Sequence, residues 1–175
     1  MVMATGAFST DTAERSTNVK VTGDEKAFLG IEPSPDSPNA KYAKQQPNGE
    51  LVVNLNEKAE GVTDEGVNPD AVSSFDNVFT ITNQGTEPVK VWIEDQSENV
   101  AFYVGGDTAN RPDSQGGAIT VGVGESKQVG VMVDATDQSA GTQFLDGDDD
   151  MIIHAVAPDA SAPEEAADGS GDGGS

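Results

Sequence analysis

The stretch VKVWIE, residues 89–94, places an apolar side chain at every second position. Successive side chains of a β-strand point to opposite faces of a sheet, so this period of two predicts a strand with one buried face. Trp92 falls on the face opposite to Val91 and Ile93. There it is either a packing residue of a second layer or an exposed contact residue.

Similar short segments recur along the chain and are separated by Gly, Asn and Asp. They are residues 16–22, 27–31, 51–55, 75–82, 100–104, 119–121, 129–133 and 151–157. Short strands that alternate in this way predict an all-β fold, an Ig-like or jelly-roll β-sandwich over residues 16–157. We expect at least seven strands and less than about 15% helix, because no stretch keeps a helical period over three turns.

Several segments lack this strand pattern. A short helix is expected near Asn68, with that residue as its cap and Pro69 at the first helical position. Residues 33–49 hold four of the nine prolines and no strand pattern, so they predict a long, locally basic loop. Residues 57–74 and 135–149 predict two further loops.

The two ends of the chain predict separate segments. Residues 1–15 form an N-terminal extension ahead of the sandwich. Residues 158–175 contain only Ala, Ser, Pro, Glu, Asp and Gly. Such a stretch buries too little apolar surface to offset the entropy lost on ordering, so it predicts a disordered acidic tail.

Thirty-one acidic residues stand against nine basic ones, which gives a formal net charge of -22. This charge excludes nucleic acid and anionic bilayers as natural partners. Its repulsion is tolerable in molar salt, where the Debye length is about 3 Å, so we expect a halophilic archaeal protein. The sequence has no run long enough to span a membrane and no intact signal peptide. Residues 1–8 look like the stub that removal of a leader would leave, so we expect an extracellular or cell-surface protein whose leader is removed or absent.

Few residues are available for catalysis. His154 is the single histidine, it lies in an apolar strand context, and cysteine is absent. A thiol nucleophile and the His-Glu-x-x-His zinc motif are therefore excluded. A pair of glycosidase carboxylates is compatible with the composition, but no pair lies in apolar surroundings that would raise one pKa. We expect no enzyme and no cofactor-binding residues.

The strongest metal candidate is a loop of clustered aspartates, whose oxygens suit Ca²⁺. Its candidate ligands are Asp146, Asp148, Asp149 and Asp150. The offsets of an EF-hand loop are absent, and a solvated acidic turn explains the same residues. We expect no cofactor, and Ca²⁺ is the only ion that we consider a candidate for this loop.

The segment TGAFSTD, residues 5–11, resembles the junction of leader and mature start in the TasA and camelysin group of secreted β-sandwich proteins. Residues 13–15, 19–21 and 27–31, with FTITNQG at 79–85, resemble haloarchaeal relatives grouped as a family of unknown function. The resemblance implies a surface or matrix protein that forms fibres by donating its N-terminal strand to the next subunit. The sequence offers no ligands or nucleophile for the protease activity ascribed to camelysin.

Residues 2–10 form the candidate donor strand. Alternation places four residues on the face that would enter a groove: Val2, Ala4, Gly6 and Phe8. An apolar strand of this kind adds to an exposed sheet edge, and pairing with a second copy gives a head-to-tail homopolymer. Other surface or matrix components are further candidate partners. The alternative is a monomeric cell-surface β-sandwich module whose loops bind a ligand.

Overall fold

The computed structural model describes residues 16–23, 28–47, 49–55, 70–95, 97–138 and 151–157, with backbone only for residues 16–23. Within this part the chain forms ten strands and two short 3₁₀ helices, Pro38–Tyr42 and Gln115–Gly117. The strands are β1 (Ser16–Gly23), β2 (Leu29–Pro33), β3 (Ala43–Gln45), β4 (Leu51–Asn54), β5 (Val72–Asn83), β6 (Val89–Glu94), β7 (Val100–Val104), β8 (Ile119–Val121), β9 (Ser126–Asp134) and β10 (Met151–Val156). The expected all-β fold is confirmed. None of the described helices is long and apolar enough to cross a membrane.

The strands form two sheets. The larger sheet has the order β3-β4-β1-β10-β6-β8, and the smaller has the order β2-β5-β9-β7. β1 pairs with β10 in parallel, whereas the other strand pairs are antiparallel. A parallel pair needs a crossover between its strands, and here that crossover spans most of the chain.

The inner faces of the two sheets share one hydrophobic core. Every second residue of β6 and β10 is buried, as the period of two predicts. The core joins side chains of both sheets: Leu51, Val53, Val89, Val91, Ile93, Met151 and Ile153 from the larger, and Phe79, Ile81, Phe102, Val129, Val131 and Val133 from the smaller. The expected sandwich therefore buries its strands face to face.

Two expectations about irregular segments were wrong. Residues 33–49 are not a plain loop, because they contain the 3₁₀ helix Pro38–Tyr42 and the strand β3. The Ser37 side chain caps that helix by accepting a hydrogen bond from the Asn39 N–H. β3 is held by its pairing with β4, and a strand of three residues carries no local pattern that specifies this partner. The short helix expected near Asn68 is also absent from residues 70 and 71, the part of it that the structure describes. Asp70 has a left-handed φ of 57°, and β5 begins two residues later.

Candidate functional site

Two sets of candidate residues lie outside the described part of the chain. They are the donor-strand residues Val2, Ala4, Gly6 and Phe8, and the loop aspartates Asp146, Asp148, Asp149 and Asp150. Both remain predictions. Among the described residues, no group of three or more His, Asp or Glu side chains could hold a metal ion.

The edge strand β7 offers backbone groups for pairing. It pairs with β9 on one side, and in the described structure no strand pairs with its other side. The Asn99 carbonyl accepts a hydrogen bond from β9, and the Gly105 N–H donates one to β9. Because alternate residues of an antiparallel strand bond to the same neighbour, the N–H and C=O groups of Val100, Phe102 and Val104 point away from β9. Val104 uses its outward groups with Asn110. The backbone N–H and C=O groups of Val100 and Phe102 thus face the open side of β7.

A groove of about 320 Å³ lies against this edge. Its lining includes the buried apolar side chains of Ile93, Val100 and Phe102, which come from both sheets. The groove therefore lies where the edge of the smaller sheet meets β6 of the larger. A strand entering here would pair with β7 and direct alternate side chains towards the core.

The opposite side of the sandwich is linked across the two sheets. Gln45 of β3 donates from Nε2 to the Ile31 carbonyl of β2 at 3.2 Å. The same side-chain nitrogen contacts the Gly49 carbonyl at 3.3 Å. A hydrogen bond between Gln45 and Ile31 therefore bridges the two edges on that side.

The groove is predominantly acidic. Four carboxylates and one guanidinium contribute to its lining: Asp95, Glu98, Asp113, Asp134 and Arg111. The hydroxyl and N–H of Thr136 hold the pKa of Asp134 below its usual range, so this carboxylate is charged at neutral pH. Arg111 donates from Nε to the Thr108 carbonyl at 2.7 Å and contacts Met132 Sδ at 3.5 Å. This electrostatic field disfavours an acidic strand.

Tyr103 attaches β7 to the bulge of β5. The ring is fully buried and lies over Gly130, where a Cβ atom would collide with it. The hydroxyl donates to Asp76 Oδ1 at 2.6 Å, next to Asn77, whose φ is 54°. Burial, and then the hydrogen bond to Asp76, raise the pKa of Tyr103 well above its ordinary value. Sequence reasoning missed this contact, because the bulge that presents Asp76 has no local signature.

A second cluster of aromatic and polar side chains lies on the outer face of the larger sheet. Trp92 of β6 is opposite His154 of β10, and their rings stack with centroids 4.7 Å apart and planes 6° apart. His154 Nε2 lies 2.9 Å from Glu94 Oε2. The strand position expected for His154 is confirmed, and Trp92 is partly exposed on the outer face. Sequence reasoning did not bring these three residues together, although all three lie on the outward faces of adjacent strands.

A family model described as "Protein of unknown function (DUF1102)" matches residues 21–159, more than three quarters of the chain. No curated protein and no solved structure matches the chain. The match covers the sandwich from residue 21 onward and leaves out residues 1–20, which include the first five residues of β1.

Proposed function

We propose that this chain, which belongs to the family described as protein of unknown function (DUF1102), is a structural subunit of an extracellular filament. Each subunit donates its N-terminal strand to the open edge of β7 in the next subunit. The observation that carries this proposal is the edge of β7 that no described strand pairs with, beside a groove that combines buried apolar side chains with carboxylates. The resemblance of residues 5–11 to the TasA and camelysin group supports the same assembly.

Backbone pairing supplies the first part of the contact. Val100 and Phe102 present two N–H and two C=O groups outward, by the alternation described above. An added strand satisfies them in β-augmentation, in which main-chain hydrogen bonds provide affinity and side-chain pockets provide specificity. Residues 2–10 are long enough to cover this short edge.

Burial of apolar side chains supplies the second part. Phe8 is the largest side chain on the donor face, and complete burial contributes about 1.5 to 3 kcal/mol. The buried side chains of Ile93 and Phe102 provide apolar surroundings in the groove. Because donor and acceptor are different surfaces of the subunit, the contact is heterologous and extends into a filament.

Charge favours this donor over other segments. Residues 1–10 carry no charged side chain, although the whole chain has a formal net charge of -22. An uncharged strand enters the acidic groove without adding like-charge repulsion. The remaining repulsion between subunits is screened in molar salt, where the Debye length is about 3 Å, which supports assembly outside the cell of a halophile.

The donor is tested by replacing Phe8 with Asp and examining purified protein in about 3 M KCl by electron microscopy and light scattering. The variant should remain folded and lose its filaments, since the new carboxylate is repelled by the carboxylates of the groove and loses the apolar burial of the phenylalanine ring. Phe28→Asp is the matched control, because Phe28 is 66% exposed at the start of the smaller sheet. Undiminished filaments in Phe8→Asp would reject the donor assignment.

The acceptor is tested by replacing Val100 with Pro. This removes an outward N–H without breaking the ladder with β9, and an edge strand tolerates proline at such a position. Far-UV circular dichroism verifies the fold. Val100→Pro and Phe8→Asp should each be monomeric alone. In a mixture, the intact donor strand of Val100→Pro meets the intact acceptor edge of Phe8→Asp, so assembly should stop at dimers. Long filaments from the mixture would contradict the mechanism. Monodisperse wild-type particles would favour the monomeric binding module instead.

A further inference from the structure

The pair Trp92 and His154 projects from the outer face of the larger sheet. The residues on either side of each are buried in the core: Val91 and Ile93 in β6, and Ile153 and Ala155 in β10. Alternation therefore directs the two stacked rings outward. This face belongs to a different sheet from the open edge of β7, so it is separate from the proposed filament contact.

Glu94 fixes and extends this aromatic pair. Its Oε2 lies 2.9 Å from His154 Nε2, and its side chain remains 54% exposed while that of His154 is 24% exposed. A carboxylate has about four acceptor positions, so Glu94 retains capacity to accept hydrogen bonds from a ligand. The contact also holds the imidazole against the indole.

The indole of Trp92 keeps an exposed part on the outer face. His154 stacks on one of its faces. The pairing of β6 with β8 ends at Val91 and Ile119, so no residue of β8 pairs with Trp92. The exposed part of the indole is the surface that a ligand contacts.

The outward residues of β6 are balanced in charge. Lys90, Trp92 and Glu94 occupy alternate positions and give one positive charge, one aromatic ring and one negative charge. They span about 13 Å along the strand, the length of a short oligosaccharide. This local balance contrasts with the formal net charge of -22 and selects neither an anion nor a cation.

We propose that the Trp92–His154–Glu94 cluster binds a neutral saccharide. The apolar C–H face of a sugar ring packs against the indole, as tryptophan offers a large rigid apolar surface with a polar edge. Sugar hydroxyls both donate and accept, so they donate to the Glu94 carboxylate and accept from the Lys90 ammonium. Polyanions are repelled by the field of the whole protein.

Trp92 is the only tryptophan in the chain, so tryptophan fluorescence, excited selectively over the two tyrosines, reports on this site alone. The probes are cellohexaose and chitohexaose, with choline chloride as the cationic comparison and polygalacturonate as the anionic one. At least one hexasaccharide should produce a saturable change in emission, and neither charged probe should. Emission unaffected by both hexasaccharides would overturn the proposal, as would saturation by choline instead.

Variants assign the binding to these residues. Glu94→Gln and His154→Ala keep the fluorophore and should weaken binding of the responding hexasaccharide about tenfold. Glu32→Gln, which changes an exposed carboxylate of the smaller sheet, is the matched control and should bind like the wild type. Trp92→Leu should abolish the binding heat in calorimetry while the protein retains its β-rich circular dichroism. Equal affinity in Glu94→Gln, His154→Ala and Glu32→Gln would refute the assignment.

Discussion

Replacing Tyr103 with Phe should lower the free energy of unfolding by about 1 to 2 kcal/mol. The change keeps the ring over Gly130 and removes only the hydroxyl that donates to Asp76 Oδ1 at 2.6 Å. A hydrogen bond to a charged acceptor contributes about 1.5 to 3 kcal/mol. Asp76 is exposed, so water replaces part of the lost bond in the variant, and the lower part of that range applies.

Urea unfolding at a fixed high KCl concentration, followed by circular dichroism, measures this difference. Tyr42→Phe is the matched control, because Tyr42 is the only other tyrosine, is also buried, and has no hydrogen-bond partner for its hydroxyl among the described residues. That control should shift the free energy by less than about 0.5 kcal/mol. A double-mutant cycle with Asp76→Ala isolates the pairwise contribution.

The pH dependence gives an independent check. The pKa of Tyr103 is raised in the folded state by burial and by Asp76, so the folded state binds the phenolic proton more tightly. This stabilisation is fully present below the unfolded pKa of about 10 and is lost as the pH rises above it. The difference between wild type and Tyr103→Phe should therefore be constant near neutral pH and shrink above about pH 10. Equal stabilities of Tyr103→Phe and Tyr42→Phe, or a difference that does not shrink at high pH, would refute the reasoning.

Three further outcomes are expected. Gly130→Ala should destabilise the protein by about 1 to 3 kcal/mol in urea unfolding, because the new methyl group meets the ring of Tyr103; Gly116→Ala, which enters open space, should be nearly neutral, and equal losses would contradict this. The hydrogen bond from Lys127 lowers the pKa of Glu125, so the Glu125 carboxylate stabilises the fold above the unfolded pKa and loses this effect as the pH falls through the lowered folded pKa. Glu125→Gln should thus be destabilising at pH 7 and converge on the wild type as the pH falls below about 4, and a deficit that does not shrink in acid would refute it. The melting temperature should be higher in about 3 M than in about 0.1 M KCl, because salt screens the repulsion of a chain with net charge -22; equal values would count against the charge argument.

Strand positions were predicted well wherever one face of a strand is buried. The segments 89–94, 100–104 and 119–121 match β6, β7 and β8 residue for residue. β5 and β9 extend beyond their predicted bounds, because pairing with neighbouring strands recruits polar residues that carry no apolar pattern. β3 was missed for the same reason, since its three residues depend on β4.

The candidate sites were predicted only in part. Alternation placed Trp92 on the face opposite to Val91 and Ile93, and His154 was expected in a strand. Their stacking depends on the register between β6 and β10, which no local pattern gives. The contact of Glu94 with His154 depends on the same register. The groove beside β7 was not predicted, because it arises between strands of different sheets.

The sequence by itself determined that the chain is an all-β protein, where most strands lie and which face of each is buried. These properties follow from the period of two along each strand, which is local. Only the tertiary structure decided that β1 runs parallel to β10, that Tyr103 reaches the bulge of β5 and that one edge of β7 has no partner among the described strands. Strand order and edges result from competition among all strands to bury their apolar faces together, and no local pattern specifies the outcome of that competition.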